Sequence, residues 1–141
     1  MKTPKIYFAG AIRGGRADAR IYAEIVALLR AYGEVLTEHI GDDALTANGE
    51  TILSDREIFK RDFRWLRAAD VLVAEVTTPS LGVGYEIAKM TEWKRPVLCL
   101  FRPGEGRSLS ALIAGEPGLE ICQYQTTAQL DPVFERFFES S

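Results

Sequence analysis

The chain has 141 residues, enough for one domain with a proper hydrophobic core. Hydrophobic residues make up 47%, charged residues 26%, and the net charge is −3, which excludes the broad basic surface a nucleic-acid polymer needs but leaves room for a local anion site. No apolar run approaches the ~18 residues of a membrane span, and the N-terminus carries no signal-peptide pattern. One His and two scattered cysteines leave little from which to build a transition-metal site. Cys99 and Cys122 both fall in apolar, strand-like runs outside any CxxC pair and read as buried thiols of a reducing compartment.

In chain order, Lys5 to Ala9 reads as a buried strand and Gly10 to Arg16 as a loop. Ala17 to Tyr32 is helical by its apolar spacing, with Ile21, Ile25, Leu28 and Leu29 on one face and Gly33 as a stop. Glu34 to Thr37 reads as a short second strand. Glu38 to Leu53 has weak periodicity and reads as a long loop, a kind of segment often tied to function. Ser54-Asp55-Arg56-Glu57 is a capping box opening a helix to Ala69. Val71 to Glu75 is a third strand, and Pro79 to Glu86 opens a helix towards Trp93. Pro96 to Phe101 is a fourth strand, Arg102 to Arg107 a Gly/Pro loop, Ser108 to Ala114 a short helix, Leu119 to Gln123 a fifth strand, and Thr126 to Glu139 a final helix. This alternation predicts an α/β fold, a five-stranded parallel sheet wrapped on both faces. Ligands of such sheets bind at the carboxyl ends of the strands. The glycine-bearing loops after strands one and three lie there.

The stretch Pro79-Ser80-Leu81-Gly82-Val83-Gly84-Tyr85-Glu86 is the most suggestive. Ser80 is an N-cap candidate, Gly82 and Gly84 admit close backbone approach, and a helix start offers bare N–H groups to a phosphate. Glu86 follows about one turn inside the helix. Taken alone the stretch reads better as a capped helix with glycines for close packing and a Glu that favours the dipole. Gly10-Ala11-Ile12-Arg13-Gly14-Gly15-Arg16 is neither a Walker loop nor a GxGxxG loop, but glycines between arginines suit one phosphate. Asp62 projects into the apolar stripe of its helix, with Ile58, Trp65, Leu66 and Ala69, where a carboxylate is costly unless paired, hydrogen-bonded or protonated. Glu86 and Asp62 then form a pair of carboxyl groups suited to glycosidic cleavage with retention. Glu86 near a helix start is expected to stay ionised as nucleophile, and Asp62 in an apolar setting to be the better acid. Tyr7, His39 and Ser110 each have bland readings as well: a strand tyrosine, a structural histidine and a helix cap.

Together, the runs from Tyr7 to Gly15, Thr37-Glu38-His39, Asp62, Ala74-Glu75-Val76-Thr77, Pro79 to Glu86 and Cys99-Leu100-Phe101-Arg102-Pro103 resemble the 2'-deoxynucleoside 5'-phosphate N-hydrolase branch of the nucleoside 2-deoxyribosyltransferase superfamily. The resemblance spans about Lys5 to Ala111, and Ala9 and Ala11 stand where relatives can carry Cys and Ser. It implies one Rossmann-like (flavodoxin-like) three-layer domain over residues 1–141, a homodimer, no cofactor and a cytoplasmic enzyme. It implies hydrolysis of 2'-deoxynucleoside 5'-monophosphates to free base and 2-deoxyribose 5-phosphate through a glutamyl-sugar intermediate. By motif, Glu86 matches the nucleophile, and Asp62 and Tyr7 match residues that orient or assist the reacting sugar and base. Ile12, Arg13, Gly14, Gly15, Ser80 and Gly82 match the nucleotide and phosphate pocket, His39 matches a pocket histidine, and Ser110 matches a serine reaching the phosphate from the neighbouring subunit. Three alternatives stay open: a deoxyribosyltransferase, a CMP-type ribonucleotide N-glycosidase, and a nucleotide-binding module without turnover.

Overall fold

The computed structural model describes residues 3–12, 16–37 and 53–141. Its strands are β1 (Lys5–Ala9), β2 (Glu34–Val35), β3 (Val71–Glu75), β4 (Val97–Phe101) and β5 (Glu120–Gln123). Its helices are α1 (Arg16–Leu29), α2 (Asp55–Ala68), α3 (Leu81–Glu92), α4 (Ala111–Ala114) and α5 (Leu130–Ser140). The strands form one parallel sheet in the order β2-β1-β3-β4-β5. That order is the doubly wound, flavodoxin-like one, with its switch point between β1 and β3.

Alternation along the strands divides the core into two layers. Ile6, Phe8, Val71, Val73, Leu98 and Leu100 pack with Tyr22, Ile25 and Leu29 of α1 and Phe134 and Phe137 of α5. Tyr7, Ala9, Leu72, Ala74, Val97 and Cys99 face the other way, onto Leu66 of α2 and Val83, Ile87 and Met90 of α3. Every central strand is thus apolar on both faces, as a sheet covered twice requires. Burial pushes the Cys99 thiol up to about 12.

The ends of the elements follow local chemistry. The capping box of α2 forms as expected: Ser54 Oγ accepts from Glu57 N, and Ser54 N donates to Glu57 Oε1, both at 3.1 Å. Arg95 Nη1 donates to the carbonyls of Leu66, Arg67 and Ala69 at the other end of α2. A Cβ at position 33 would lie 2.3 Å from the Pro4 carbonyl oxygen, so only glycine lets the chain turn into β2 there.

The structure departs from the sequence reading at several edges. α1 ends at Leu29, with Arg30 to Tyr32 in a turn whose N–H groups still reach back to helix carbonyls. β2 covers only Glu34–Val35, because Leu36 makes the last ladder bond to Ile6 before the chain turns. α4 begins at Ala111 rather than Ser108, and Thr127–Gln129 form a 3₁₀ turn ahead of α5. Cys122 is half-buried rather than buried, since β5 is an edge strand. The long loop expected from Glu38 lies outside the described residues as far as 52. No helix among the described residues is long and apolar enough to cross a membrane.

Candidate active site

The site begins with two elements meeting at the carboxyl end of the sheet. Ser80 caps α3 in an extended conformation, accepting from Val83 N at 3.3 Å on its hydroxyl and from Gly84 N at 3.1 Å on its carbonyl. The helix then carries Glu86 over the face of the sheet to which the odd-numbered side chains of β1 point. The Tyr7 hydroxyl donates to Glu86 Oε2 across 79 residues of sequence. α2 supplies Asp62 from the same layer.

Asp62 sits at the rim of its helix contact rather than within the apolar stripe, with 26% of its side chain exposed. The reason is how α2 packs: Leu66 is its one buried residue, and Asp62 lines a cavity with Ile58, Phe59 and Phe63. Arg61 donates to Asp62 Oδ1 from Nε at 2.9 Å and from Nη2 at 2.8 Å, and its guanidinium lies 5.0 Å from the Trp65 ring centre.

Electrostatically Glu86 departs from the setting the sequence suggested. Burial pushes Glu86 up to about 7; the hydrogen bond from Tyr7 pulls it down, and the nearby charge of Asp62 pushes it up. Desolvation therefore outweighs the helix start, and Glu86 titrates near neutrality. Asp62, expected as the desolvated acid, is instead the group with an arginine partner. The Tyr7 hydroxyl is pushed well above the usual phenol range, first by burial and then by the charge and hydrogen bond of Glu86.

Glu86 and Asp62 lie where two cavities meet. The first, of about 320 Å³, runs from Tyr7 and Ala9 past Gly10, Ala11 and Ile12 to Thr78, Pro79, Ser80 and Gly82. It joins the loop after β1 to the start of α3, the switch point at which doubly wound sheets take ligands. The second, of about 450 Å³, is lined by Ile58, Phe59 and Phe63 of α2 and by Leu81, Gly82 and Tyr85 of α3. The rings of Phe59 and Phe63 stack at 5.2 Å. A Cβ at Gly82 would meet nothing nearer than Ser80 Oγ at 3.8 Å, and one at Gly84 nothing within 4 Å. Neither glycine is there for close internal packing. The open space at Gly82 is the space of the two cavities.

Of the residues singled out in the sequence, Tyr7, Ile12, Asp62, Ser80, Gly82 and Glu86 line the first cavity together. Ser110 does not. It lies with Ser108, Leu112 and Ile113 along a separate groove of about 900 Å³ that meets the first cavity at Thr78, Pro79 and Ser80. Ser110 makes no side-chain cap bond to α4. Arg13, Gly14, Gly15 and His39 lie outside the described residues.

The sequence reading missed a second carboxylate cluster, at the same end of the sheet but on its other face. Glu75, fully buried at the end of β3, accepts from Thr77 N at 2.8 Å, Thr77 Oγ1 at 2.9 Å, Arg102 Nε at 3.1 Å and the Tyr124 hydroxyl. Arg102 Nη2 also donates to Asp18 Oδ1 at 3.0 Å, and Thr78 Oγ1 donates to Asp18 Oδ2 at 2.6 Å. One signal was available: Glu75 closes a strand whose other four residues are all apolar.

Comparison with known proteins places the chain in a family. A Clostridium botulinum CMP N-glycosidase of known structure superposes with a TM-score of 0.66, covering 94% of this chain and 98% of its own; at 19% identity it speaks to the fold alone. Relatives named 5-hydroxymethyl-dUMP N-hydrolase are 48% identical in Mus musculus, over 96% of this chain and 80% of theirs, and 45% identical in Homo sapiens, over 97% and 80%. A family model described as nucleoside 2-deoxyribosyltransferase matches residues 6–113, which takes in all of β1 but Lys5, the start of α3, Glu86 and Asp62, and the chain belongs to that family.

Proposed function

We propose that the protein hydrolyses the N-glycosidic bond of 2'-deoxynucleoside 5'-monophosphates, releasing free base and 2-deoxyribose 5-phosphate. The observation that carries this reading is the meeting of Glu86, Tyr7 and Asp62 in one cavity with the capped start of α3. The phosphate lies at that helix start, by Ser80 and Gly82, where free N–H groups and the helix dipole favour an anion. On the sequence resemblance, Arg13, Gly14 and Gly15 match the phosphate site and His39 matches a pocket histidine.

With the phosphate anchored, C1' is held against Glu86. Ionised Glu86 attacks C1', the C–N bond breaks with its electron pair going to the base, and the base takes up a proton. Water then cleaves the glutamyl ester and returns the carboxylate. Tyr7 holds Glu86 in position and stabilises its charge. Asp62 orients the sugar and base; its use as an acceptor by Arg61 supports that role over proton donation. The base faces the second cavity, whose stacked Phe59 and Phe63 suit an aromatic ring. 5-Hydroxymethyl-dUMP, named for the relatives above, is the first substrate to try.

The working form is a homodimer in a cytoplasmic setting, with Ser110 of one subunit reaching the phosphate of the other. Two features support the dimer. Leu81 and Leu112 are 97% and 85% exposed beside the groove that holds Ser110, and the missing Cβ of Gly84 leaves room on that groove for a second backbone.

The deciding experiment incubates the protein with deoxynucleoside monophosphates, ribonucleoside monophosphates and unphosphorylated deoxynucleosides, and follows free base by chromatography. Base release from the deoxynucleotides, much faster than from the other two classes, is the expected result. Equal release from the unphosphorylated nucleoside would refute the phosphate-anchored reading. Sugar transfer to an added second base in preference to water would make the protein a transferase.

A further inference from the structure

We propose that Arg102 is a positioning residue for this reaction, holding the start of α3 in register with the rest of the pocket from the far face of the sheet. The inference rests on the proposed hydrolase activity but not on Arg102 touching substrate, since its side chain lies among Glu75 and Asp18 and does not line the cavity.

The geometry runs through three short steps. Arg102 N donates to Thr77 Oγ1 at 2.9 Å, and Thr77 donates in turn to Glu75 through both its N–H and its hydroxyl. The chain just beyond β3 and the chain just beyond β4 are thereby tied to each other. The Arg102 guanidinium then spans two elements, with Nε on Glu75 at the end of β3 and Nη2 on Asp18 in the first turn of α1. Finally, Asp18 receives Thr78 Oγ1 at 2.6 Å, and Thr78 opens the Thr78-Pro79-Ser80 run that walls the cavity and caps α3. The side chains involved are closed off from solvent: Arg102 and Asp18 are 13% and 12% exposed and Glu75 is at 0%. A guanidinium suits this place because its planar fork reaches two carboxylates at once, whereas an ammonium is a single point of charge. Loosening the fork lets Ser80 and α3 shift relative to β1, and with them Glu86 relative to Tyr7. A displacement of about 1 Å at a reacting group costs on the order of 100-fold in rate.

Arg102→Lys and Asp18→Asn test this. Lys keeps the charge but not the two-carboxylate reach, and Asn is nearly isosteric, weakening the links of residue 18 to Arg102 and Thr78 while leaving the Arg102–Glu75 pair. Base release is measured at saturating deoxynucleoside monophosphate, well below each melting temperature. Nucleotide affinity is measured by calorimetry in a Glu86→Gln background, with and without each change. The expected result is a kcat lower by about tenfold or more for Arg102→Lys and by less for Asp18→Asn, with affinity changed by less than about threefold. A purely structural role would lower the melting temperature and leave kcat of the folded protein alone, and that result overturns the inference. If Arg102→Lys does not fold, Asp18→Asn decides by the same split. Absence of base release by the unaltered protein would instead overturn the hydrolase reading and this inference with it.

Discussion

Glu75 and Glu86 stand at the same end of one sheet, on opposite faces, and they are equipped in opposite ways. Glu75 is surrounded by donors: a backbone N–H, two hydroxyls and a guanidinium. Glu86 has a single neutral donor among the described residues, the Tyr7 hydroxyl, and a second carboxylate for a neighbour. A buried charge that is fully satisfied is held still and kept for architecture. A buried charge that is under-satisfied retains unused acceptor capacity and basicity, which is what a nucleophile needs. On the proposed reading, the sheet keeps its anchoring and its chemistry in separate layers.

The sharpest way to break this contrast is to neutralise each glutamate in turn. Glu86→Gln is expected to lower base release by on the order of 10³-fold or more while the fold persists. Glu75→Gln is expected to lower stability by about 3–5 kcal/mol, because Arg102 loses a buried partner; denaturant melts read this directly. If the two variants exchanged these effects, the division of labour would be wrong. The third effect is the dependence of stability on pH. Glu86 rises from an ordinary value of 4.5 to about 7 in the folded protein, so the folded state binds more protons than the unfolded one between those limits. Its contribution to stability is greatest below pH 4.5, falls as the pH rises through 7, and is flat beyond, a loss of about 3 kcal/mol. Glu86→Gln should remove that slope and melt higher than the unaltered protein at pH 8.

Smaller shifts sharpen the account of Glu86 itself. The acid limb of kcat/KM should report its ionisation near pH 7. Tyr7→Phe removes the bond that favours the carboxylate, so the limb should move up by about one unit. Asp62→Asn removes a like charge, so the limb should move down. Opposite movements in one pH series would tie both residues to Glu86, and movement in the same direction would count against the assignment.

The chain made its architecture plain because strands such as Val71–Ala74 and Val97–Phe101 are apolar throughout and are separated by helices with clear caps. Ser54 and Ser80 marked two helix starts by local chemistry alone. Asp62, Ser80 and Glu86 could be gathered because the loops that precede their helices lie at the carboxyl end of such a sheet, and Tyr7 joined them through the family resemblance. The ionisation settings were not legible. Whether Glu86 follows the helix dipole or its burial depends on neighbours 79 and 24 residues away in sequence, and Arg61 beside Asp62 could equally have pointed to solvent. The anchoring role of Glu75 was hidden for the same reason: Asp18, Arg102 and Tyr124 arrive from three different elements.

The pairing of Tyr7 with Glu86 also makes enzymatic turnover a stringent gauge of assembly. β1 hydrogen-bonds to β2 and β3 on its two sides, and a slip of one residue along either neighbour would send Tyr7 into the α1/α5 layer and bring Phe8 round to face Glu86. A refolding chain could regain its helices with this strand misaligned, yet it would release no base. Recovery of turnover therefore marks the moment at which the most sequence-distant contacts of the sheet have closed.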